Sequence, residues 1–205
     1  MKATGFAAGV PAAFARAGAR LLALCGVLFY GLDALTAQRQ ARVPLHMAWE
    51  LAIPYWPPAY LLYFSVLAVP FLPLWLAPDA AHVQRWERRM AAALGVAALL
   101  FLLLPAAPAY TAADAGAWAA WAHLAALVAG QHNMLPSLHV ALSGLTMLWV
   151  WADAGPRARA AMAAWFVLLV VSVLLTHQHH VADIAAGLLL ALALRPRGAN
   201  RHRAA

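Results

Sequence analysis

Residues 115–130 read Ala-Gly-Ala-Trp-Ala-Ala-Trp-Ala-His-Leu-Ala-Ala-Leu-Val-Ala-Gly, and whether this stretch crosses a bilayer decides the architecture of the chain. It is Ala-rich and helical in propensity, but short for a span. Around it lie apolar runs at 17–35, 59–76, 90–104, 136–151, 160–175 and 181–194. If 115–130 is a seventh span, the Lys and Arg residues divide almost evenly between the two membrane faces. If it lies in the interface, all 14 basic residues except Arg39 and Arg42 fall on one face. Cytoplasmic loops concentrate Lys and Arg. The sequence therefore predicts an all-α integral membrane protein: a six-transmembrane-helix bundle with an interfacial helix around 115–130 and cytoplasmic termini.

Composition supports the membrane reading. The 205 residues are 65% hydrophobic and only 10% charged, with a mean hydropathy of +0.73; soluble domains carry about 25% charged residues. The runs are solid Ala, Leu and Val rather than alternating, which excludes a β-barrel. Most of the basic residues behind the net charge of +7 flank the spans, so they read as topology determinants and no nucleic-acid partner is expected. A lone cysteine, Cys25, excludes an intramolecular disulfide framework and a cysteine-cluster metal site. The expectation is one domain over 1–205, with a loose N-terminus at 1–16 and a basic cytoplasmic tail at 195–205. The first run lacks a small-x-small cleavage site and reads as an uncleaved span. Pro70 and Pro73 predict a kink in the second run. Ile53-Pro54-Tyr55-Trp56-Pro57-Pro58 suits a membrane interface.

Two polar islands interrupt the apolar pattern: Gln131-His132-Asn133-Met134-Leu135-Pro136-Ser137-Leu138-His139 and Thr176-His177-Gln178-His179-His180-Val181-Ala182-Asp183. Ionisable groups at the edge of an apolar span are costly to place and mark function. The six-span topology puts both islands on the non-cytoplasmic face, together with every histidine except His82 and His202. His179 and Asp183 are one helical turn apart and can share a face. A carboxylate at that position fixes the tautomer of an imidazole nucleophile or base, and a second imidazole can protonate a leaving group. Pro136-Ser137 at a helix start offers free N–H groups and a hydroxyl to an oxyanion. Together these describe phosphoryl transfer through a phosphohistidine, with no metal or cofactor required. Competing readings are a His179–Asp183 pair that only locks helix ends, a His139 or Asn133 that only caps a helix, and a histidine cluster binding a metal or haem.

Pro136-Ser137-Leu138-His139 resembles the Pro-Ser-x-His second motif of the type 2 phosphatidic acid phosphatase (PAP2) superfamily, and Ser172 through His179-x-x-x-Asp183 resembles its third. Asn133-x-Leu135-Pro136-Ser137-Leu138-His139, with Gln178-His179-His180 ahead of the aspartate, is similar to the branch that holds inositol phosphorylceramide synthases. The resemblance implies a lipid phosphate or diphosphate substrate, with His179 as nucleophile, Asp183 orienting it, His139 as general acid and base, and Ser137 on the phosphate oxygens. Two features depart from the family pattern. The first-motif Lys and Arg are absent where Pro105-Ala106-Ala107-Pro108 stands, and the third-motif Arg is absent where Val173 follows Ser172. Phosphate charge needs cationic partners, so Arg39, Arg42, His132 and His177 are the candidate replacements, while His180 reads as a supporting neighbour. A member that keeps the fold only as a binding module is the remaining alternative.

Overall fold

The computed structural model describes residues 6–107, 109–111, 113–130 and 132–196. Lys2, Pro108, Gln131 and the basic tail from Arg197 to Arg203 lie outside the described residues. The described chain is helical, with one isolated bridge pairing Val43 to Ala106 and no strand. Seven helices follow one another: α1 (Val10–Ala37), α2 (Pro57–Leu76), α3 (Ala80–Leu103), α4 (Gly116–Ala129), α5 (Leu138–Val150), α6 (Pro156–Leu175) and α7 (Val181–Ala193).

Three of these, α1, α2 and α6, are long and apolar enough to cross a membrane. α3 has the length, at 24 residues, but its first half carries His82, Arg85, Glu87, Arg88 and Arg89. α4, α5 and α7 are shorter apolar helices.

Several boundaries correct the sequence reading. α1 starts at Val10 rather than 17, with Val10, Ala13 and Ala17 buried against the core, so residues 10–16 are helix instead of loose chain. Gly26–Tyr30 widens into i to i+5 turns within α1, and the Phe29 carbonyl in this segment accepts from Asn133 Nδ2 at 2.6 Å. Asn133 is thus tied to α1 and does not cap α5. Pro136 lies outside α5; Ser137 is the cap, its hydroxyl accepting from Val140 N at 3.4 Å. Around Pro70 the chain tightens into 3₁₀ turns over Ser65–Phe71 before resuming as α-helix, since proline offers no N–H to the ladder.

α5 and α7 form the centre of the molecule. Ser137 N donates to the Asp183 carbonyl at 3.0 Å, joining the N-terminal ends of the two helices. Trp86 Nε1 on α3 donates to Thr146 Oγ1 on α5 at 3.1 Å, both buried. The same end gathers the loops. Val43 N donates to Pro105 O, Ala106 N to His132 O, and Trp56 N to Leu175 O, each within 3.0 Å. Four segments that are distant in sequence therefore converge where α5 and α7 begin.

Gly187 makes the α5–α7 approach possible. A Cβ there would lie 2.8 Å from Ser137 O and 3.1 Å from Val140 Cβ, closer than packed atoms allow. Gly187→Ala is expected to destabilise the protein by about 1–3 kcal/mol and to lower the melting temperature in detergent. An unchanged melting temperature would show that the two helix ends are not tightly registered.

Candidate active site

The register of α5 and α7 brings two imidazoles together, edge to face. His139 lies in the first turn of α5, and His179 sits just before α7. Nδ1 of His139 is 3.2 Å from Nε2 of His179. On the far side of the same ring, Nδ1 of His179 is 3.4 Å from Asp183 Oδ2. Asp183 is wholly buried, and its Oδ2 also accepts the His180 amide at 2.8 Å. The His179 contact lacks hydrogen-bond geometry, but at this distance a carboxylate, which accepts and cannot donate, favours the Nδ1–H tautomer of His179 electrostatically. The Nε2 lone pair then faces His139, which donates its own Nδ1–H. The result is a carboxylate–imidazole–imidazole series with the His179 ring at its centre.

The pair sits at the polar end of a cavity of about 800 Å³ bounded by α1, α2, α3, α5 and the C-terminal end of α4. Phe14, Gly18 and Cys25 from α1, Val66 and Phe71 from α2, and Leu142 from α5 line it, with His139, His179, Asn133 and Ser143 among the polar residues. Its walls are otherwise apolar, and no Lys or Arg is among the described residues lining it. Such a space suits a hydrocarbon chain with a polar head directed at the imidazoles.

The remaining predicted residues fall elsewhere. Ser137 is buried, with its hydroxyl spent on the α5 cap. Arg39 donates from Nη1 to Leu102 O, and Arg42 from Nη2 to Ala37 O at 3.0 Å. Arg39 is thus held at the C-terminal end of α3 and Arg42 at that of α1; Nη1 of Arg42 is buried without a partner. His132 uses its amide on Asp33 Oδ1 at 3.0 Å, and its Nδ1 has no hydrogen-bond partner. His177, at φ +56°, is 2.9 Å from Ile53 O through Nε2 and stacks on Tyr110 at 3.9 Å between ring centroids. Tyr110 also stacks on His180 at 4.6 Å. Burial, then the neighbouring Glu50 and Asp183 carboxylates, push the Tyr110 phenol up to about 12.

Two acidic residues with no motif turn out to be structural members of this end. Asp33 holds the His132 amide, and Glu50 is wholly buried against His180. Neither lies in a recognisable pattern; the only sequence signal was rarity, since carboxylates beside apolar spans are few. Among the described residues no three His, Cys, Asp or Glu side chains are arranged to hold a metal ion.

Removing the Asp183 side chain strands the buried His180 amide and frees His179. Asp183→Ala is expected to cost about 1–3 kcal/mol, read as a lower melting temperature in detergent; equal melting of variant and wild type would mean that water replaces the carboxylate.

A family model described as PAP2 superfamily matches residues 56–195, more than half of the chain and all of the helices from α2 to α7. No curated protein matches, and no solved structure matches.

Proposed function

This chain belongs to the PAP2 superfamily, and from that premise we propose that it is a metal-independent lipid phosphate phosphatase or phosphotransferase working through a phosphohistidine. PAP2 membership suggests phosphatase-type chemistry on phosphate-containing substrates. The observation that carries the finer reading is the His139–His179–Asp183 series at the end of an apolar cavity. Asn133 to His139 support the inositol phosphorylceramide synthase-like branch.

The steps follow from the hydrogen bonds. The two rings first part, because a phosphoryl group on His179 Nε2 occupies the place of the His139 N–H. Nε2 attacks phosphorus, the P–O bond to the lipid breaks, and protonated His139 gives its proton to the departing oxygen. His139, now neutral, takes a proton from water or an acceptor hydroxyl, which attacks phosphorus and breaks the P–N bond. Asp183 stabilises the imidazolium character that His179 gains. Arg39 and Arg42 are the proposed counter-charges for phosphate, Arg42 through its unpartnered Nη1, with His132 and His177 as neighbouring donors and Ser137 acting through the α5 N-terminus that it caps.

In a bilayer we place α1, α2, α3, α5, α6 and α7 as the six spans and α4 in the interface, with termini cytoplasmic and the site toward the periplasmic or extracellular side of the cell membrane. α5 and α7 have 13 residues each, about 20 Å of helix against a hydrocarbon core of about 30 Å. Their polar N-terminal flanks complete the crossing. Irregular backbone is tolerated at that depth only inside protein or beside a polar cavity; the flank of α7 carries His179, and the flank of α5 leads directly into His139 in its first turn.

Purified protein in detergent is expected to release phosphate from at least one member of a panel of lipid phosphates and diphosphates, equally with and without EDTA. His179→Ala abolishes release, and His139→Ala lowers it by about 10²–10⁴-fold. EDTA-sensitive release, or release that survives His179→Ala, overturns the mechanism. Arg39→Ala and Arg42→Ala are each expected to weaken turnover; full activity in both removes the arginines from the site.

A further inference from the structure

Glu50 lies before residue 56, outside the matched segment, on a short 3₁₀ turn, Ala48–Ala52. Its neighbours Trp49 and Leu51 are exposed, while Glu50 itself is wholly buried. Burying a carboxylate is costly unless every lone pair is used. Here Oε1 accepts the Met47 amide at 3.1 Å. Oε2 accepts the Val181 amide at 3.0 Å and lies 3.0 Å from His180 Nδ1. Since Oε2 already accepts from a backbone N–H, His180 is the donor.

Two carboxylates thus share the start of α7. Asp183 accepts the amide of residue 180 and lies 3.4 Å from the ring nitrogen of residue 179, while Glu50 accepts from the ring of residue 180 and the amide of residue 181. Glu50 takes the N–H of the 180–181 peptide and Asp183 that of the preceding 179–180 peptide, so His180 is held between the two carboxylates through its ring and its amide. Tyr110 closes the arrangement, stacking on His180 and donating from its hydroxyl to the Glu50 carbonyl at 3.4 Å.

We propose that Glu50 is a positioning residue: by holding His180 and Val181 it fixes Asp183, and through Asp183 the tautomer and direction of the His179 ring. Its role in turnover rests on the phosphatase reading above; its effect on His179 does not. In this arrangement a residue from the loop between α1 and α2 supports a site whose imidazoles come from α5 and from the segment that leads into α7.

The test separates the two. Full-length protein carrying ¹⁵N-labelled histidine is compared as wild type, Glu50→Ala and Glu50→Gln in detergent, with His179 resonances assigned by loss in His179→Asn. Wild type is expected to show one Nδ1–H tautomer at His179. Glu50→Ala should show mixed tautomers, and Glu50→Gln, which keeps the volume and one acceptor oxygen, an intermediate state even where the alanine variant folds poorly. Against a short-chain phosphatidic acid and a prenyl diphosphate, kcat should fall about 10- to 100-fold with KM unchanged, as a displaced reacting group would cause. A single wild-type tautomer at His179 in folded Glu50→Gln and Glu50→Ala overturns the proposal, whatever the activity. If wild type turns over neither substrate, the phosphatase reading is what fails, and the tautomer comparison alone decides the role of Glu50.

Discussion

The structure depends on how closely α5 and α7 meet at their N-terminal ends. One backbone hydrogen bond, Ser137 N to Asp183 O at 3.0 Å, and one glycine with no room for a Cβ, Gly187, fix that contact. Because His139 follows Ser137 by two residues and His179 precedes Asp183 by four, the register of two helices becomes the spacing of two imidazoles. A shift of one residue in either helix would turn a ring through about 100° and dissolve the pair. The loops of α1, α2 and α3 are stitched around this contact rather than forming a separate layer.

The same contact explains the distribution of polarity. Buried carboxylates are costly alone, yet Asp183 and Glu50 are both wholly buried. Each is matched by N–H groups at the start of α7, where amides lack helical partners and the helix end is electropositive. Opposite this polar knot lies the apolar cavity bounded by α1, α2, α3, α5 and the end of α4. A lipid with its head at His179 and its chain in that cavity meets both requirements at once, which is why the proposed substrate is amphipathic.

Much of this was legible in the sequence because it is local. The His179-x-x-x-Asp183 spacing describes a helical turn, and the pair is at 3.4 Å. Pro136-Ser137-Leu138-His139 marks a helix start, although proline stands two residues further out than its preference for the first helical position suggests. The convergence of the two islands came from charge bias alone, and the rings do meet. What sequence could not show depends on tertiary neighbours. Glu50 has meaning only once Val181 is beside it, 131 residues away. Asn133 resembles a cap until Phe29 offers a carbonyl from the irregular turns of α1. Ser137 reads as a phosphate ligand until its hydroxyl is found closed beneath its own helix. The early start of α1 was missed because residues 10–16 are small and weakly apolar, and only packing against the core makes them helix.

The central claim is that His179 carries the phosphoryl group. The most direct measurement mixes the purified protein with a lipid phosphate labelled at phosphorus, quenches within the first turnover under alkaline denaturing conditions, and locates protein-bound label by peptide mass analysis. The account predicts base-stable, acid-labile phosphate on His179 that accumulates when His139 is replaced and is absent when His179 is replaced. Phosphate release with no labelled His179 at any time within the first turnover would contradict it.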